Sequence, residues 1–390
     1  MSIDESQVTV AAEAVIDPEL RRPLGELGMV GPVRVKRKRV TLDIPLPVAQ
    51  YPQVDELVRR VTDAVGGLSG VDDVVVETVL MGEEPRARLR MLLRGEPVEG
   101  GTQHAPDDHG HAHGGQLGHE EGRPNRFMLP RSKTRILGIS SGKGGVGKSS
   151  VTVNLGVALA RMGHDVGILD ADVYGFSVPK MLGVDADPMI IGDLVVPPTA
   201  NGVRCLSMGY FVPDDTPVIW RGPMLHKALE QFLVDAYWGE PDFLLLDMPP
   251  GTGDVTLSLG QYLTKTEVYV VTTPQAAAGR VPQRSAYAAR KLKLAVRGVI
   301  ENMSWFTGDD GTRYELFGAG GGRQLADELG VPLLAQVPLV PALRAGGDVG
   351  VPIMVSEPDS EAARAFDGLA RSILDLGPAR VYRQELTLRS

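Results

Sequence analysis

The 390-residue sequence predicts an α/β protein: a P-loop, doubly wound, mostly parallel sheet, preceded by a small α+β domain. Three observations point there. Short apolar runs at 135–140, 166–170, 203–207, 243–247, 267–272, 296–301 and 333–337 alternate with helical patterns, the rhythm of βαβ units. One strand–helix junction carries Gly142-Lys143-Gly144-Gly145-Val146-Gly147-Lys148-Ser149, a glycine, a spacer and then Gly-Lys-Ser. Residues 1–94 follow a different rhythm of short alternating strands, and a nearly apolar-free stretch separates them from the rest.

In the small domain, Val8 to Ile16 reads as a helix, stopped by Asp17-Pro18. Val33 to Val35 and Val40 to Ile44 alternate as paired strands joined by Lys36 to Arg39. Gln53 to Val65 is a helix with Val54, Leu57, Val58, Val61 and Val65 on one face, and Val74 to Val79 is a third strand. Asp17 and Glu19 are expected in solvent at a helix end.

Residues 95–130 are expected to be a disordered linker, because so little apolar surface cannot offset the entropy of ordering. The linker holds His104, His109, His111, His113 and His119, five of the chain's seven histidines. Neutral imidazoles bind transition metals, so a weak metal affinity is expected of an otherwise solvated tether. Residues 131–378 form the main domain. Met189 to Val196 adds a small β excursion, Ser360 to Leu376 is the closing helix, and 379–390 is a flexible tail.

A net charge of -9 argues against general nucleic-acid binding, which needs a basic face. No apolar run approaches the roughly 20 residues that span a bilayer. The N-terminus is acidic and lacks a secretory apolar segment, so a cytoplasmic protein is expected. The single cysteine, Cys205, excludes an intramolecular disulfide and any CxxC pair. It falls in a strand-like run and is expected to be a buried structural thiol.

The phosphate loop has the required context, a buried strand before it and a helix from Ser150 to Met162 after it. Its glycines let Gly142 to Gly147, with Ser150 behind them, turn backbone N–H groups toward one anion, and the helix N-terminus adds partial positive charge. Lys148 is expected to reach the β- and γ-phosphate oxygens of ATP, and the Ser149 hydroxyl to ligate Mg²⁺. Asp170 and Asp172 close the next strand, both on one side of it. Phe243 to Asp247 is an apolar strand ending on a carboxylate, which marks Asp247 as an Mg²⁺ ligand, direct or through water. The Pro249 to Asp254 loop after it is placed to sense a γ-phosphate. Thr264-Lys265-Thr266-Glu267 is no guanine motif, since it precedes its strand and ends in glutamate.

Lys143, a second lysine inside the loop, makes the Lys-Gly-Gly-Val-Gly-Lys-Ser run resemble the deviant Walker A ATPases, which include MinD, ParA and the Mrp/ApbC iron–sulfur carriers. The resemblance implies that Lys143 crosses a face-to-face dimer to the partner's nucleotide and that Asp172 positions the attacking water. It also implies that Asp170 supports the metal shell and that Asn302 reads adenine beside the backbone near Pro338. Asp170-Ala-Asp-Val-Tyr-Gly175, Val218-Ile-Trp-Arg-Gly-Pro-Met224, Asp247 to Asp254, Val271-Thr-Thr-Pro-Gln275 and Glu301-Asn-Met-Ser304 together look like the Mrp/ApbC family. Val15-Ile-Asp-Pro-Glu-Leu20 and Glu26-Leu-Gly-Met-Val30 resemble the small domain found in iron–sulfur assembly factors.

What the family resemblance implies is a homodimeric Mg²⁺-dependent ATPase that binds iron–sulfur clusters and passes them to apoprotein clients, without nucleic-acid or membrane partners. Two departures stand against the cluster part. The small domain's usual reactive cysteine before a proline is Tyr51 here, ahead of Pro52, and the segment Trp305 to Tyr314 lacks the family's CxxC pair, so cluster ligands are absent. Two alternatives remain: an ATP-switched positioning protein of MinD/ParA type, or an ATPase scaffold for another protein's metal centre. Asp359, Glu361, Asp367 and Asp375 around the final helix disfavour docking on an anionic membrane.

Overall fold

The computed structural model describes residues 4–96, 125–173, 175–211, 222–251, 254–275 and 280–379. The chain opens with α1 (Glu5–Glu13), α2 (Leu24–Leu27), β1 (Val33–Lys36), β2 (Arg39–Leu46), α3 (Val54–Gly66), β3 (Asp73–Leu80) and α4 (Glu83–Arg94). After residue 125 come β4 (Arg135–Ser141), α5 (Lys148–Arg161), β5 (Val166–Asp170), α6 (Val178–Leu182), β6 (Met189–Ile191), β7 (Leu194–Val196), β8 (Thr199–Ala200) and β9 (Val203–Ser207). Then follow α7 (Gly222–Val234), β10 (Phe243–Asp247), α8 (Asp254–Tyr262), β11 (Glu267–Thr272), α9 (Arg280–Lys291) and β12 (Ala295–Asn302). The last third holds β13 (Phe306–Thr307), β14 (Arg313–Tyr314), α10 (Gly321–Leu329), β15 (Leu333–Val337), α11 (Pro341–Val349), α12 (Ile353–Ser356) and α13 (Glu361–Leu376). No helix among the described residues is long and apolar enough to cross a membrane.

Two compact units result. The first joins the N-terminal residues to 188–198 and 235–239. Its sheet has the order β1-β2-β3, antiparallel then parallel. Val40, Leu42, Ile44 and Leu46 point from alternate positions of β2 into a core completed by α1, α3 and the β6–β7 hairpin. Helix α1 begins three residues before the expected Val8, because Asp4 caps it through a bond from the Ser6 N–H at 3.0 Å. Helix α4 is absent from the sequence reading. It forms because Leu89 and Leu93, one turn apart, bury together on the same core.

The expectation that Asp17 and Glu19 stand in solvent is overturned: both are buried. Asp17 Oδ1 accepts the backbone N–H groups of Glu19 and Leu20 at 2.9 and 2.7 Å, and the Tyr51 hydroxyl at 2.7 Å. Glu19 accepts from Gln53 Nε2 at 2.8 Å. A buried carboxylate with such donors holds a turn together rather than decorating a surface.

The second unit is built on an eight-stranded sheet of order β15-β12-β11-β4-β10-β5-β9-β8. All neighbours run parallel except the two-residue β8. The strands are apolar on both faces because helices cover both. Along β11, Tyr269 and Val271 enter one core with α5 and α13, while Val268 and Val270 enter another with α9 and α10. The carboxyl ends of β12, β11, β4, β10 and β5 therefore lie side by side along one edge, the usual ligand edge of such a sheet.

Candidate active site

The glycine loop leaves β4 and turns straight into α5. Gly145 and Gly147 take φ of 76° and 80°, the left-handed region that favours glycine. At Gly147 a side chain would also collide with Asn302 Nδ2. Lys148 and Ser149 begin α5, so both project from the first helical turn toward the end of β10.

There they meet Asp247, which is fully buried. Its Oδ2 takes Lys148 Nζ at 2.5 Å and the Ser149 hydroxyl at 2.6 Å. Its Oδ1 takes the hydroxyl of Thr152 at 2.6 Å. Thr152 is fully buried one turn beyond Lys148, and its hydroxyl also lies 3.0 Å from the Lys148 carbonyl. One carboxylate thus gathers an ammonium and two hydroxyls. Asp172 comes within 3.8 Å of Lys148 Nζ and is half-buried.

Asp170 pairs in register with Asp247 across β5 and β10. Its carboxylate is turned to the segment that follows. It accepts the N–H groups of Asp172, Ser177 and Val178 at 3.2, 3.1 and 3.2 Å, and the Ser207 hydroxyl at 3.1 Å. Burial, and secondly the Asp247 carboxylate beside it, push Asp170 above the usual carboxylate range.

Lys143 stands at the mouth of the loop, with Nζ 3.5 Å from Gln275 Oε1 at the end of β11. Asn302 closes β12 and is buried; its Nδ2 donates to the Val146 carbonyl at 2.9 Å. Its Oδ1 is buried with no hydrogen-bond partner among the described residues. Pro338 follows β15 and is buried next to the Ser304–Val337 backbone bond.

Lys148, Ser149, Asp172, Asp247, Asn302 and the glycines are therefore brought to one edge, while Asp170 serves the loop beside it. Thr152 and Ser207 were missed by sequence reading. Thr152 carried a signal: it lies four residues after Lys148, on the same helix face. The five linker histidines, Tyr174, Trp220, Arg221, Thr252, Gly253 and the tail from 380 lie outside the described residues.

The profile of the NUBPL iron-transfer P-loop NTPases matches residues 132–374, and that of an iron-sulfur cluster assembly protein matches 5–78. An iron-sulfur cluster carrier protein of Mycobacterium leprae is 43% identical over 94% of this chain and 92% of its own. One from Synechocystis is 38% identical over 94% and 96%. A nucleotide-binding protein of Archaeoglobus fulgidus, solved in complex with ADP, is 32% identical with a TM-score of 0.52, covering 60% of this chain and 91% of its own.

Proposed function

The chain belongs to the NUBPL iron-transfer P-loop NTPase family, and from that premise we propose that it is a Mg²⁺-dependent ATPase that works as a homodimer in the cytoplasm and moves iron–sulfur clusters to apoproteins. The observation that carries the reading is the Asp247 carboxylate with Lys148, Ser149 and Thr152 gathered on it. An ammonium and two hydroxyls converging on one carboxylate beside the glycine loop are the parts a triphosphate grip needs.

The Lys148 ammonium and the N–H groups of the glycine loop are suited to hold phosphate oxygens. The Asp247 carboxylate and the Ser149 hydroxyl are hard donors, the set that would suit Mg²⁺ alongside phosphate. Bound there, Mg²⁺ would neutralise charge on the β- and γ-phosphates. Asp172, beside Lys148 and open on one side, is suited to orient the attacking water. Lys143, at the mouth, suits a role across a dimer. Asn302 Oδ1 is an acceptor that wants a donor; adenine's amino group supplies one, and guanine's carbonyl does not.

The cluster is the cargo in this reading. The names of the relatives and the match of the small domain support it. The test is Lys148→Ala in the full chain. ATP turnover is expected to fall to background while ADP-free folding persists; unchanged turnover would refute the proposal.

A further inference from the structure

Two buried side chains at the ligand edge of the large sheet end in polar atoms that meet nothing. Asn302 Oδ1 is one, and the hydroxyl of Thr273, the residue after β11, is the other; neither has a hydrogen-bond partner among the described residues. Asn302 is 3% exposed and Thr273 6%. Folded chains satisfy nearly all of their buried polar atoms, so two orphans in one place need a reason.

The strands put them together. β11 and β12 run parallel, with Thr272 level with Glu301. One step further along both chains sets Thr273 beside Asn302, where neighbouring strands lie about 4.8 Å apart. Alternation sends both to the same side. Tyr269 and Val271 of β11 and Ile300 of β12 enter the core shared with α5, and Thr273 and Asn302 follow them. Glu301, between Ile300 and Asn302, turns the other way and accepts the Gly322 N–H at 2.6 Å, at the start of α10. On the α5 side lies the glycine loop. The Val146 carbonyl takes the Asn302 amide there, and Val271, two residues before Thr273, pairs with Ser141 at the loop's entrance.

The bond already made sets the chemistry of the pair. Asn302 Nδ2 is committed to the Val146 carbonyl, so the amide cannot turn over without losing that bond, and it presents an acceptor. The Thr273 hydroxyl has no acceptor of its own, so its proton is available. An acceptor and a donor side by side match a donor and an acceptor side by side. Adenine carries that pattern, an amino group next to a ring nitrogen; guanine sets a carbonyl oxygen in the amino group's place.

Resting on the ATPase reading, we propose that Thr273 is a second base-reading residue. Its hydroxyl donates to the adenine ring nitrogen beside the amino group, while Asn302 Oδ1 accepts from the amino group itself. The two residues select adenine as a pair.

The test is calorimetric binding to the full chain, with Mg²⁺ and either ATP, 7-deaza-ATP or 1-deaza-ATP. Each analogue replaces one of the two ring nitrogens that neighbour the amino group by C–H. In the wild type one analogue is expected to bind about five- to tenfold more weakly than ATP, the loss of one hydrogen bond. Thr273→Val keeps the shape and removes the hydroxyl. It is expected to bind ATP more weakly by the same factor, and to bind that analogue as well as it binds ATP. Thr273→Ser is expected to restore the discrimination. Each ratio is taken within one protein, so a partly unfolded preparation leaves it unchanged. A valine variant that discriminates as the wild type does, or a wild type that discriminates against neither analogue, overturns the assignment and leaves the two orphans to water. A wild type that binds no ATP overturns the nucleotide reading and this assignment with it; ATP binding without the coupling overturns the assignment alone.

Discussion

Thr152 donates to Asp247 Oδ1 at 2.6 Å, on the oxygen that Lys148 and Ser149 leave free. Three donors on two oxygens fix the rotation of that carboxylate. Its Oδ2 is thereby aimed at the mouth of α5, where a cation and a phosphate would sit.

Thr152→Val keeps the volume and removes the donor. A hydrogen bond to a charged acceptor contributes roughly 1.5–3 kcal/mol, so kcat/KM for ATP is expected to fall about 10- to 100-fold, with a raised Mg²⁺ requirement. Thr152→Ser should recover most of both. A magnesium titration of the valine variant that overlays the wild type would show that Lys148 and Ser149 hold the carboxylate alone.

Gly147 and Gly145 share the left-handed backbone, but only Gly147 faces an obstacle. Gly147→Ala incurs about 1–2 kcal/mol of backbone strain and also drives a methyl group into Asn302. ATP affinity is expected to drop more than tenfold by calorimetry. Gly145→Ala meets open space and should show the backbone term only. Equal losses at the two positions would remove Asn302 from the account of the loop.

Asn302→Ala removes the orphan acceptor and the brace on Val146 together. Preference for ATP over GTP is expected to shrink by about tenfold, as an unmatched buried polar group loses its meaning. Competition binding reads this directly. A preference that survives intact would locate base choice elsewhere.

Asp17 titrates the first unit. Burial raises its carboxyl above the ordinary value, against the bonds from Leu20, Tyr51 and Glu19. The folded form therefore holds its proton to higher pH than the unfolded chain does. Its contribution to stability is complete below the unfolded carboxylate value of about 3.9 and is lost as pH rises through the folded one. Asp17→Asn stays neutral and retains an oxygen for the same donors. Denaturant unfolding across that window should find the variant's stability flatter with pH and gaining on the wild type at the upper end. Parallel curves would mean that Asp17 titrates alike in the folded and the unfolded chain, against the raised value.

The central machinery was legible because its parts are local. Gly142 to Ser149 is one unbroken run, and Asp247 ends an apolar strand, so spacing alone announces both. What escaped depends on distant pairings. Thr152 matters only because Asp247, 95 residues on, stands in front of it. Asp17 looked like a surface acid because Tyr51, which buries it, is 34 residues away. The β13–β14 hairpin offers only two residues to each strand, and what holds it is Glu361, whose role no window of sequence reveals. Asp170 sits where the motif puts it, yet the N–H groups of Ser177 and Val178 turn it to the neighbouring loop.

The enclosure of Cys205 inside β9 has a consequence for life in air. Peroxide and disulfide exchange attack exposed thiolates, and the described surface has none to offer. If the chain hydrolyses ATP as proposed, its turnover is expected to survive peroxide that would inactivate a protein with exposed thiolates.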